Sequence, residues 1–84
     1  MKILKSENKI PLLIKSRRKI SRITISVDGS TPLHLEFPPT KTIPWMIQNF
    51  VFQQELEIQV FGVRGGRIPD SELEINWLNI KWSP

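Results

Sequence analysis

Apolar and polar residues alternate at period two, and this constrains the chain more than any other feature. Ile23-Thr24-Ile25-Ser26-Val27 and Leu33-His34-Leu35-Glu36-Phe37 change character at every position. A strand with one face buried and one in water has that period. Asp28-Gly29 stands between the two runs and tolerates the positive φ of a tight turn. Ser30-Thr31-Pro32 lengthens the loop, and the whole reads as a hairpin. A third alternation, with Phe50, Phe52, Leu56, Ile58 and Val60 in one phase, predicts a long strand over 50–61, kinked or bulged at Gln53-Gln54.

The remaining segments fit the same frame. "KIPLLIK" is a short apolar run that Pro11 places at a strand start or on an edge. "PPTKTIP" has three prolines and reads as an extended connection. Thr42 with Pro44 behind it has the form of a helix start, so residues 45–49 read as a helical turn or the beginning of a strand. "GVRGGRIPDS" is a loop by composition. The last strand runs from Glu72 to about Trp82. Its apolar phase moves from Leu73, Ile75 and Trp77 to Leu78, Ile80 and Trp82, which signals a bulge or a change of sheet. The expected fold is all-β: a small β-sandwich or jelly-roll-like fold of about five to six strands, two short sheets face to face. Its core is drawn from Ile23, Ile25, Val27, Leu33, Leu35, Phe37, Phe50, Phe52, Leu56, Ile58, Val60, Leu73, Ile75 and Trp77.

With 84 residues the chain is a single domain, 1–84, of a size whose stability is marginal unless something supports it. There is no cysteine, so neither a disulfide nor a thiolate metal site supplies that support. Association with another protein is the expected substitute. No run is long and apolar enough for a signal h-region or a membrane span. The cytoplasm, or the interior of a virion or phage particle, is the expected setting.

Charge is divided unevenly. Residues 1–22 hold eight basic residues against Glu7 alone, a balance of +7, and residues 23–84 hold four against seven acids, a balance of −3. This basic N-terminal segment (1–22) culminates in "KSRRKISR", residues 15–22. Lys15, Arg17, Arg18, Lys19 and Arg22, joined by Arg64 and Arg67 of the glycine loop, are the candidate contacts for phosphate or for an acidic partner. The plainer reading is a charged turn between strands 10–15 and 20–27, or an edge guarded against pairing. In either case an acidic face, within the chain or on a neighbour, has to meet it.

Catalytic chemistry finds little to use. His34 is the one imidazole, and it sits at the polar phase of its strand with no orienting third group in view. Glu55/Glu57 and Glu72/Glu74 each put two carboxylates on one strand face, which is how a solvated sheet surface also looks. Gly62 to Arg67 lacks the Gly-Lys-Ser/Thr ending of a phosphate loop. No cofactor or metal is expected. Trp45, Trp77 and Trp82 are many for this length. Trp77 reads as core, and Trp45 and Trp82 as interface candidates.

The run Leu56–Gly62, "LEIQVFG", resembles the closing strand of discoidin-like sugar-binding sandwiches over seven residues, and no site residue carries over from it. The leading expectation is a non-enzymatic protein-binding or assembly module, self-associating or part of a larger complex. The alternatives are a nucleic-acid-binding protein using the basic segment and a carbohydrate-binding module using surface tryptophans.

Overall fold

A computed structural model describes residues 1–44 and 52–80. These residues contain five strands: β1 (Lys2–Leu4), β2 (Lys9–Val27), β3 (Leu33–Pro44), β4 (Glu55–Gly62) and β5 (Leu73–Asn79). Single 3-10 turns lie at Lys5–Glu7 and Asp70–Glu72. All pairings are antiparallel and form one open sheet in the order β1-β4-β2-β3, with β5 also paired to β2. No helix among the described residues is long and apolar enough to cross a membrane.

The sheet is organised by β2. One of its edges carries β3. Along the other, β5 pairs with residues 9–16 and β4 with residues 20–27. A straight strand of its 19 residues would run about 60 Å, whereas the longest dimension of the molecule is 41 Å. β2 is therefore bent. Both ends return to one place: Lys5, just ahead of β2, donates its N–H to the Gln54 carbonyl at 3.0 Å, and Asp28, just after it, donates to the Glu55 carbonyl at 2.9 Å.

Register shifts in β2 fall between Pro11 and Leu13, between Lys15 and Ile20, and between Ile20 and Arg22. Each extra residue bends the strand and reverses which phase faces inward. Pro11, then Ile14, Ser16 and Ile20, then Ile23 and Ile25 are thus all buried. The two strands expected at 10–15 and 20–27 are one, and "KSRRKIS" is its bent middle rather than a turn between them.

The Asp28-Gly29 hairpin forms as its residues dictate. Both residues have positive φ, 50° and 77°, and the Val27 carbonyl accepts from the Ser30 N–H at 2.9 Å, as in a type I′ turn. "PPTKTIP" is not a connection but the second half of β3, and Thr42 pairs with Lys15 instead of opening a helix. Three prolines are tolerated because β3 is an edge strand. β4 begins at Glu55; Gln53 and Gln54 form a bend before it. Residues 45–51, with Phe50 and Trp45, lie outside the described residues.

Ile3, Ile20, Ile23, Ile25, Ile43, Phe52, Leu56, Ile58, Val60 and Ile68 form one buried cluster, against which Ile10, Val27, Leu35, Phe37 and Leu73 pack. Ile14 is also fully buried. The inward phase of β2, β3 and β4 is the expected one, but three expected core residues are not in the cluster: Ile75 is half-buried in β5 and does not join it, and the other two are exposed. Leu33 ends the hairpin at 50 % exposure, and Trp77 is 38 % exposed near the end of β5. β5 itself is regular; the bulge expected there lies opposite, at Leu12 of β2. Leu78 simply faces the other way from Trp77.

Candidate functional site

The basic run occupies a seam. Towards β5 the last β2 pair is Ser16 with Leu73, and towards β4 the first is Ile20 with Gly62. Residues 17–19 span the handover between the two neighbours. On the opposite edge Lys15 pairs with Thr42 and Ile20 with Thr40, so Ser16, Arg17, Arg18 and Lys19 face Lys41 alone. Ser16 is buried and its Oγ accepts from the Arg18 N–H at 3.1 Å, tightening the bend. Arg17, Arg18 and Lys19 are all exposed. The bulge compresses four basic residues, Lys41 included, into one small region.

Part of the charge is met internally. Arg18 donates to Glu72 at 3.0 Å, Lys9 lies 3.3 Å from Glu7, and Lys2 lies 3.9 Å from both Glu55 and Glu57. Arg67 reaches Asp70 at 3.8 Å. Lys15, Arg17, Lys19, Lys41 and Arg64 have no ion-pair partner among the described residues. Lys15, Arg17 and Lys41 line a notch of about 350 Å³, together with the side chains of Ser71, Glu72 and Glu74. Lys41 is the member of this group that sequence reasoning missed. Its place depends on the bulge across the sheet, for which "PPTKTIP" contains no signal. The glycine loop turns back beside the seam: the Gly62 N–H donates to the Gly66 carbonyl at 2.9 Å, and the Lys19 carbonyl lies close to Gly62.

Arg22 does not join the others. Its guanidinium lies over the Phe61 ring, 4.5 Å from the centroid, and its Nε is enclosed without an acceptor among the described residues. Of the seven basic candidates, the structure thus brings Lys15 and Arg17 together in the notch, with Lys19 exposed farther along the bend. It ties Arg18 and Arg67 to the Asp70–Glu72 turn, stacks Arg22 on Phe61, and leaves Arg64 at the tip of the glycine loop.

Glu55, Glu57 and Glu74 lie on strands, but Glu72 belongs to the 3-10 turn before β5, so Glu72 and Glu74 do not share a strand face as expected. Glu57 and Glu55 flank Lys2, and Glu74 stands across from Lys15. His34 is exposed opposite Thr24. Trp45 and Trp82 lie outside the described residues.

Three long sheet edges differ in how they are finished. The outer edge of β4 is covered by β1 at residues 55–57, by the Met1 carbonyl at Ile58, and by Arg67 and Ile68 at residues 60 and 61. The outer edge of β3 carries Pro38, Pro39 and Pro44, which offer no N–H. β5 has neither cover nor proline, and among the described residues nothing pairs with its outer edge. Around its end Trp77, Leu78 and Leu12 are 38, 42 and 48 % exposed. Lys9 Nζ sits 4.5 Å from the Trp77 ring centroid, so one ring face is partly occupied. No protein-family model, curated protein or solved structure matches the chain, so its function is argued from these residues alone.

Proposed function

We propose that this chain is a non-enzymatic assembly module that joins a second copy of itself, edge to edge, through β5. The carrying observation is that nothing among the described residues pairs with the outer edge of β5 and no proline interrupts it, whereas prolines interrupt the second half of β3 and other segments cover β4. A bare edge strand with exposed apolar side chains is a template for another strand. A small domain also gains by burying such a surface in an oligomer.

A second copy suits the edge. Antiparallel pairing of β5 with itself about a two-fold axis at Asn76 sets Ile75 opposite Trp77 and Glu74 opposite Leu78. Aromatic and β-branched residues then meet, and the two Glu74 carboxylates are kept apart. The bend of β2 further supports reading the two halves of the sheet as facing layers around a common core, a sandwich made from one sheet.

Asn76 is exposed and meets its own copy in this register, which gives a direct test. Sedimentation equilibrium should find a dimer of the wild type at tens of micromolar. Asn76→Lys and Asn76→Glu should each be monomeric, because each opposes like charges, and an equimolar mixture of the two should recover the dimer. A wild type that stays monomeric at millimolar concentration, or variants that dimerise alone as well as in mixture, would sink the proposal.

A further inference from the structure

The notch at the bend of β2 reaches the first residues of β5, but all its walls come from a single copy, so it is present whether or not β5 pairs. Its walls come from three parts of the chain: the bulged segment of β2, Lys41 and Thr42 of β3, and the Asp70–Glu72 turn with the start of β5. Three cations enter it, Lys15, Arg17 and Lys41. Two carboxylates also line it, and they are not equivalent. Glu72 is engaged by Arg18 at 3.0 Å, which leaves Glu74, across the strand pair from Lys15, as the one carboxylate without an ion pair. With Arg18 counted beside Glu72, the notch holds more positive charge than it neutralises. Thr42 and Ser71 add hydroxyl donors.

The other basic residues with an identified neighbour either meet carboxylates or lie over rings, as Lys2, Lys9, Arg22 and Arg67 do. The cations at the bend are instead forced together by a bulge that sets four residues against one. Like charges crowded in this way repel one another, and an anion between them relieves the repulsion.

We propose that this notch binds the phosphate of a phosphate ester, held by Lys15, Arg17 and Lys41 with Thr42 and Ser71 donating. A volume of about 350 Å³ admits the phosphate with part of its ester substituent. Guanidinium and ammonium groups match its oxygens in charge and donor number. Two sources present this chemistry: a free phosphomonoester and the backbone of a nucleic acid. Lys19, next along the bend, and Arg64, on the glycine loop that turns back beside it, would lengthen the track for the second.

The test has two arms. Amide chemical shifts are followed while phenyl phosphate is added, against chloride at matched ionic strength. In parallel, a fluorescently labelled single-stranded 20-mer is titrated with protein at 20 and 200 mM salt. The expected result is selective movement of the Thr42 and Ser71 amides with phenyl phosphate. In the second arm Arg17→Glu and Lys41→Glu should each weaken oligonucleotide binding at least tenfold and lower the salt slope by about one. Lys2→Glu, on the distant β1, should change it less than twofold. Amide shifts without oligonucleotide binding would assign the notch to a small phosphate ester, and both together would assign it to nucleic acid. No response in either arm overturns the proposal. So does a loss in Lys2→Glu equal to that in Lys41→Glu, since net charge would then be the whole effect. Arg17 and Lys41 are exposed, and circular dichroism of the variants checks that they fold. The Asn76→Lys monomer should retain the site, which separates this result from the fate of β5 pairing.

Discussion

Asp28 does more than turn the chain. Its carboxylate accepts the backbone N–H groups of Gln53 at 2.8 Å, Gln54 at 2.7 Å and Glu55 at 3.0 Å, which pins the start of β4 to the hairpin. The bond from Gln53, followed by those from Glu55 and Gln54, holds its carboxyl below the ordinary carboxylate range. A group whose folded pKa is lowered adds stability that is complete above its unfolded value and is lost as pH falls through the folded one. Asp28→Asn should therefore melt below the wild type at pH 7. The gap should begin to close below about pH 4 and narrow further under acid; a gap that widened instead would remove the charge from the explanation. Gly29 beside it has φ +77° and open space around it, so Gly29→Ala costs backbone strain alone, about 1–2 kcal/mol. Gly66→Ala, also in open space but without a positive φ, should change stability by less than about 0.5 kcal/mol in urea denaturation. Asp-Gly was legible as a turn from two adjacent residues. The reach of its carboxylate to 53–55 was not, because no local pattern records a partner so far along the chain. The same limit explains the missed core. Ile3, Ile14, Ile20, Ile43 and Ile68 are fully or almost fully buried, yet Ile20, Ile43 and Ile68 stand singly among charges, hydroxyls or prolines, where no alternation marks them. A solitary β-branched residue in polar surroundings was the signal available.

The three register shifts along β2 decide which side chains meet the core. Simple alternation back from Ile14 would place Leu12 on the core face. The bulge turns it outward to 48 % exposure and buries Pro11 instead. Ile14→Ala should thus cost about 2–5 kcal/mol by opening a cavity, while Leu12→Ser stays within about 0.5 kcal/mol. Equal costs in chemical denaturation would mean that the strand runs straight through residue 12. The charge run between strands 10–15 and 20–27 has the composition of a turn as well as of a binding segment, because local patterning treats solvated cations as a break. In a bent strand the convex middle is also solvated, and the two cases look alike until the neighbours are known. Strand phase was legible wherever alternation ran unbroken, as in Ile23–Val27 and Leu56–Val60. Where a strand bulges, the phase reverses without any change in composition.

At the scale of the whole molecule, the charge asymmetry of the sequence is resolved only in part. Lys2 and Arg18 of the basic segment meet Glu55, Glu57 and Glu72 of the acidic remainder, and the surplus collects at the bend. The halves were legible from composition, but which cations stay unmatched depends on sheet order, and strand order is not written in any local window. That order also governs how the molecule assembles. Among the described residues β1, near one end of the chain, pairs with β4 alone, and β5, near the other, with the first half of β2 alone. Among the described residues the β2–β3 hairpin is the one pairing between consecutive strands. Everything that closes the core around Ile3, Ile58 and Ile68 therefore waits on contacts between distant segments, whose loop entropy must be met before burial repays it. Folding should accordingly take milliseconds to seconds and follow a single exponential in stopped-flow tryptophan fluorescence. Ile58→Ala, at the centre of the long-range pairings, should slow folding as well as speed unfolding, because the strands it joins must meet for the core to form. Leu33→Ala, at the exposed end of the hairpin, should leave both rates nearly unchanged. Folding within microseconds, or an Ile58→Ala effect confined to unfolding, would show that the local hairpin rather than the meeting of β4 with β2 limits the reaction.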